Sequence, residues 1–182
     1  MAKLVEQTYG EALFQTAMEA NRVDAFLEEA ELIQTVLKQN PEWDRLMKHP
    51  KISKQEKVEI MKGAFAGRIS REMTGFLELI LVKERYGQLQ AVFQYFTEKV
   101  KEEKKIGTAY VTTPMELSES RKADIQARLL DTTPYLTMEM HYAVDSSLIG
   151  GMVIRIKDRV VDSSIRTKLA DMKRELLQIQ LG

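Results

Sequence analysis

At 182 residues, with 44% apolar and 30% charged side chains, the chain has ordinary globular composition and suits one moderate domain or two small ones. Its 27 Lys and Arg balance its 27 Asp and Glu, leaving no basic excess of the kind a nucleic-acid binder uses to neutralise phosphates. There is no cysteine, and His49 and His141 are the only histidines, so disulfides, thiolate metal sites, a cysteine nucleophile and a multi-histidine metal centre are excluded.

The first hundred or so residues read as successive helices. Residues 4–20 form the first. Val23, Phe26, Leu27, Ala30, Ile33 and Leu37 repeat at helical spacing and stop before Asn40-Pro41. A short piece around Trp43, Leu46 and Met47 ends at His49-Pro50. Ser53 and Glu56 have the spacing of a capping box, opening a helix with Val58, Met61 and Phe65 on one face and Gly67 as its stop. Ser70 caps a fifth helix running to about Arg85, and Leu89, Val92, Phe93, Phe96 and Val100 mark the next. The longest apolar stretch, Phe76 to Val82, is broken by Glu78 and falls far short of the roughly 20 residues that cross a bilayer. The N-terminus has the pattern of neither a signal nor a transit peptide, so a soluble intracellular chain is expected.

The pattern changes after Gly107. The run Lys101 to Lys105 reads as the solvated end of a helix. Thr108 to Thr113 reads as a strand stopped by Pro114, and Ser118 as the cap of a helix reaching about Asp131. Leu136, Met138, Met140, Tyr142 and Val144 alternate with polar or small residues, the period of a half-buried strand. Residues 152–156 and 159–161 flank Lys157-Asp158 as a hairpin, and Ile165, Leu169, Met172, Leu176 and Ile179 stripe a last helix. The expected fold is therefore α+β and mainly α: a six-helix bundle over residues 1–105, then a small α/β domain over residues 106–182.

No catalytic pattern emerges. His49 sits at a helix break and His141 on the polar side of a strand, neither with a local orienting partner. Gly150-Gly151 is followed by a strand, whereas a phosphate loop needs a fuller glycine frame followed by a helix. A tight turn or a close backbone approach suits the pair better.

Two helices carry more information. On the fifth, Met73, Phe76, Leu77, Ile80 and Leu81 fill one face, while Gly75, Leu79 and Val82 lie well outside it. On the first, Val5, Tyr9, Ala12, Leu13 and Ala17 span a wide arc that Phe14 extends. Either both helices are central to the bundle, or their outer edges form a groove for an amphipathic partner helix, with the small Ala12 and Gly75 allowing close approach.

The stretch from Val144-Asp145 through Leu148-Ile149-Gly150-Gly151 to Asp162-Ser163-Ser164 resembles the signature of the ATP synthase delta subunit family, the bacterial counterpart of oligomycin-sensitivity-conferring protein. Tyr9-Gly10-Glu11-Ala12-Leu13-Phe14, His49-Pro50-Lys51-Ile52 with Lys57, and Val111-Thr112-Thr113 with Leu117-Ser118 are similar to other parts of the family pattern, so the resemblance runs nearly end to end. Gly10 stands where the family has alanine, Ser163 where it usually has glycine, and Thr167 where a second glycine is common.

The resemblance implies a non-catalytic stator subunit of F-type ATP synthase, without metal or cofactor. In the family the helical bundle binds the N-terminal helix of an alpha subunit, and the C-terminal domain holds the ends of the b-type stalk subunits. Tyr9, Ala12 and Leu79 match family positions at the alpha-helix groove, and Leu148, Ile149, Gly150, Gly151, Asp162 and Ser164 form the structural signature. The implied setting is the cytoplasmic face of the membrane, with membrane contact only through the complex and no nucleic-acid partner. Two other readings stay open from sequence: a helical adaptor in another assembly, and a small enzyme using the Gly150-Gly151 turn.

Overall fold

A computed structural model describes the backbone of residues 2–179, with side chains over residues 4–174. The chain divides into two compact units, Met1–Val100 and Lys101–Gly182.

The first unit is built from α1 (Ala2–Glu19), α2 (Val23–Gln39), α3 (Pro41–Lys48), α4 (Lys54–Phe65), α5 (Arg71–Val82) and most of α6 (Leu89–Glu103), with a 3-10 turn at Tyr86–Gln88. Helix ends follow local chemistry. Pro41 occupies the first turn of α3, where its missing N–H is no loss. The Ser53 hydroxyl accepts from the Glu56 N–H at 3.2 Å and the Glu56 carboxylate accepts from the Ser53 N–H at 2.8 Å, completing the capping box.

The helix expected to reach Arg85 stops at Val82, because Glu84 turns to φ 56°. The Glu84 and Arg85 N–H groups then close back on the Leu81 and Ile80 carbonyls. Asn21, at φ 52°, ends α1 by the same pair of bonds, from Asn21 to Met18 and from Arg22 to Ala17. The inward faces meet in one core centred on Leu13, Phe26, Ile33, Met73, Leu77, Ile80, Phe93 and Phe96, each almost fully buried.

The second unit holds a four-stranded sheet of order β2-β1-β3-β4, from β1 (Ile106–Thr113), β2 (Thr137–Val144), β3 (Val153–Ile156) and β4 (Arg159–Asp162). Strands β1 and β2 are parallel, with Ile106 opposite Thr137, and α7 (Glu119–Thr132) is their crossover. Strands β3 and β4 form the expected hairpin, with Lys157 at φ 51° in its turn. Helix α8 (Ile165–Ile179) closes the chain.

One sheet face carries Ala109, Val111 and Met138, all buried, with α7 against it: Tyr142 donates to the Lys122 carbonyl at 3.2 Å and Gln126 to that of Met138 at 3.3 Å. The opposite face carries Tyr110, stacked on His141 at 4.9 Å and beneath the Arg155 guanidinium at 4.7 Å.

The structure qualifies four readings of the sequence. Ser118 sits at the N-cap of α7 but makes no capping bond; its hydroxyl meets that of Ser120 at 3.1 Å. The run Lys101 to Lys105 is tied down as well as solvated: Lys101 pairs with Glu139 at 2.6 Å, Glu102 with Lys157 at 3.0 Å, and the Lys105 carbonyl accepts from the Leu136 N–H at 2.8 Å. Of the alternating apolar residues of β2, only Met138 is buried, and β2 is an edge strand of the sheet. On α8, Ile165, Leu169 and Met172 are exposed, while the side chains of Leu176 and Ile179 lie outside the described residues.

Candidate functional site

The outward side of α5 is apolar. Gly75, Leu79 and Val82 succeed one another at i, i+4 and i+7, about 180° from the core-facing Met73, Leu77 and Ile80. Leu79 is 43% and Val82 46% exposed, while the adjoining Ile80 and Leu81 are 0% and 5%. Nothing lies within 4 Å of where a Cβ on Gly75 would stand, so that surface is open. The strip has charged borders: Lys62 of α4 pairs with Glu78 at 2.7 Å, and Arg22 reaches Glu72 at 3.8 Å.

The Arg22–Glu72 contact brings the start of α5 to the turn that ends α1. Arg22 also reaches Glu29 at 3.8 Å, and the Glu29 carboxylate accepts from both the N–H and the hydroxyl of Ser70, the N-cap of α5, at 3.0 and 2.7 Å. Leu79 follows Glu72 by two turns and about 20°, so it runs along the side of α5 that Arg22 marks.

On α1, Leu13, Phe14 and Ala17 are buried, Tyr9 packs partly against the core, and Ala12 is exposed on the shoulder beside it. The Thr8 and Thr16 hydroxyls donate to their own helix, to the Leu4 and Ala12 carbonyls at 2.7 and 2.8 Å. With those hydroxyls satisfied internally, the shoulder makes little hydrogen-bonding demand on a partner. Tyr9 and Ala12 thus share one shoulder of α1, and Gly75, Leu79 and Val82 one strip of α5; both helices set their inward residues in the same core.

The residues of the second motif gather around the start of α8. Asp162 accepts from the Ser164 N–H at 2.8 Å and from the Thr167 hydroxyl at 2.7 Å, and the Thr167 N–H donates to the buried Ser164 hydroxyl at 3.3 Å. The Ser164 N–H first, then the Thr167 hydroxyl, holds the Asp162 carboxyl below its usual pKa. Asp145 is lowered too, by the Ser147 hydroxyl first and then by the Ser147 N–H, which it accepts at 2.9 Å.

Leu148 is buried, and Gly151 has φ +77° with its Cα against the Ser163 carbonyl. The Gly150-Gly151 pair therefore serves a close approach of chain to chain. Ser163 itself has no positive φ, and its hydroxyl donates to the Met152 carbonyl at 2.9 Å, so serine fits without strain. Sequence reasoning placed Ile149 in the signature but missed its conformation, φ 66° and ψ −44°. It found the apolar stripe of α8 but not its exposure, because a periodic apolar stripe looks the same whether or not its own chain covers it.

A family model for the ATP synthase delta (OSCP) subunit matches residues 5–176. The chain belongs to that family. An ATP synthase subunit delta of Lachnoclostridium phytofermentans is 48% identical over 182 residues, the full length of both chains. That of Alkaliphilus metalliredigens is 32% identical over 181 residues, covering 98% of this chain and 99% of its own. A chain in the cryo-EM structure of the Toxoplasma gondii mitochondrial ATP synthase hexamer shares the fold, with a TM-score of 0.73 at 19% identity over 94% of this chain and 97% of that one.

Members of the delta family are the peripheral-stalk component of F-type ATP synthase, structural and not catalytic. Membership removes the small enzyme and the adaptor of another assembly. No helix among the described residues is long and apolar enough to cross a membrane.

Proposed function

We propose that the first unit is the half that grips the catalytic head. Tyr9 and Ala12 on α1 and Gly75, Leu79 and Val82 on α5 receive the N-terminal helix of an alpha subunit. The domain over residues 106–182 holds the ends of the b-type stalk subunits. The chain then works at the cytoplasmic face of the membrane, reaching the bilayer only through the complex.

The observation that carries this reading is the outward strip of α5, where exposed Leu79 and Val82 adjoin fully buried neighbours. A stator joint has to hold against rotor torque. Apolar burial contributes about 25 cal/mol per Å² whatever the salt, while exposed ion pairs contribute only about 0–1 kcal/mol each. A smooth apolar strip between two ion-paired borders suits an amphipathic helix laid along it.

The test is calorimetric titration of the full chain with a synthetic peptide of the alpha-subunit N-terminus, and separately with the soluble part of the b-type subunit. Saturable binding of each, and of both together, is expected. A folded chain that ignores the alpha peptide overturns the assignment of the head-binding half.

A further inference from the structure

Glycine in the middle of a helix is unfavourable relative to alanine, so each one held there needs a physical reason. Three glycines lie inside α-helices among the described residues. Gly10 of α1 lies against the Tyr95 ring, and Gly63 falls in the last turn of α4. Gly75 is different. It is the fifth of the 12 residues of α5, it takes no positive φ, and a Cβ built on it would meet nothing within 4 Å. Neither its own backbone nor the packing of its own chain requires a glycine there.

The surface above Gly75 is also kept clear. Glu72 and Glu78, three residues before and after it, stand about 60° to either side. Each is drawn off, Glu72 toward Arg22 at 3.8 Å and Glu78 to Lys62 at 2.7 Å. Helical side chains lean toward the helix N-terminus. Arg71, one turn before, therefore leans away from Gly75, while the exposed Leu79, one turn after, leans toward it. Gly75 is thus the floor of a notch, with Leu79 as its apolar wall and paired carboxylates at its sides. Such a floor lets another helix come closer than a row of side chains would.

We infer that the partner helix crosses α5 at Gly75, its point of closest approach, and seats an aliphatic side chain on the glycine against Leu79. The carboxylates at the sides are already paired, so the notch makes no ionic demand on its occupant. This rests on the reading of the α5 strip as the seat of the alpha-subunit helix. The glycine then weakens the free chain and serves the complex, and one substitution should move the two in opposite directions. A merely structural glycine would not do that.

The test titrates the full chain with a synthetic peptide of the alpha-subunit N-terminus and follows the Tm of each variant. Gly75→Ala is expected to raise Tm by about 2–4 °C while weakening binding about tenfold. Gly75→Leu should keep Tm at or above the wild-type value while weakening binding about a hundredfold. Gly63→Ala, equally open but outside the strip, should hold or raise Tm and leave affinity unchanged. Replacing the aliphatic residues of the peptide by alanine in turn should restore affinity for Gly75→Leu at one position.

Wild-type affinity in both Gly75 variants overturns the crossing point, and the seat itself still stands if Leu79→Asp loses the peptide. A lowered Tm in Gly75→Ala also overturns it, since the chain would then be using the space itself. Rescue at no position of the peptide overturns the seated side chain. Failure of the wild-type chain to bind the peptide overturns both the crossing point and the seat.

Discussion

Gly10 of α1 lies against the ring of Tyr95 of α6, so close that a Cβ on residue 10 would stand 2.4 Å from Cδ1 and 3.3 Å from Cβ of the tyrosine. The tyrosine hydroxyl then reaches Glu11 at 3.3 Å, and Lys99, one turn on, pairs with the same carboxylate at 3.4 Å. Inside a helix, glycine lowers propensity by about 0.5–1 kcal/mol relative to alanine. In the structure it is the residue that lets α1 and α6 touch.

Gly10→Ala is therefore expected to destabilise the chain by about 1–2 kcal/mol, overpacking outweighing the propensity gain. In a Tyr95→Ala background the same change should be neutral or stabilising. Denaturant melts of the four chains give the coupling, and a stabilised Gly10→Ala single variant contradicts the contact.

The acid side of the stability profile should carry the mark of Asp162. Its folded pKa lies below the unfolded one, so its contribution is present above the ordinary aspartate value of about 4 and is lost as pH falls through the folded value. Asp162→Asn should lower Tm at neutral pH, and its gap from wild type should close as the solution is made more acid than that. A gap independent of pH means the carboxylate is not held by the start of α8.

Much of this could be read directly from the chain. Ser53 with Glu56 and Pro41 named their helix starts, because capping is local chemistry within three or four residues. What escaped was non-local. The Gly10–Tyr95 contact joins residues 85 apart, and the central place of β1 between β2 and β3 depends on pairing across α7 and on to β3. Periodicity found the stripes of β2 and α8 but not their exposure, since a repeat shows which residues share a face and not what covers it. The outward strip of α5 was legible for the opposite reason: Gly75, Leu79 and Val82 were apolar where a bundle helix should be polar. Ile149 escaped because nothing in a Leu-Ile-Gly run announces an isoleucine at positive φ.

Gly151 should tolerate substitution least in the second unit. An added Cβ would stand 2.3 Å from the Ser163 carbonyl oxygen, a backbone atom, at a φ of +77° that side chains resist. Gly151→Ala is expected to cost about 3 kcal/mol. Gly150→Ala should cost less, because it meets the movable Cδ1 of Ile165. Hydrogen exchange should show the loss in residues 106–174, with stalk binding hurt more than head binding. Equal loss in both units contradicts this.

The most direct measurement is the affinity of the alpha-subunit N-terminal peptide for the full chain carrying Leu79→Asp, taken together with its melting temperature, and with Ala12→Asp alongside. Both residues are exposed, so Tm should stay within about 2 °C of wild type, as for ordinary surface substitutions. Affinity should fall about a hundredfold or more, because the bound peptide would bury an unpaired carboxylate. Folded variants that bind the peptide as tightly as wild type, or variants that melt well below it, would contradict the proposed seat on α1 and α5.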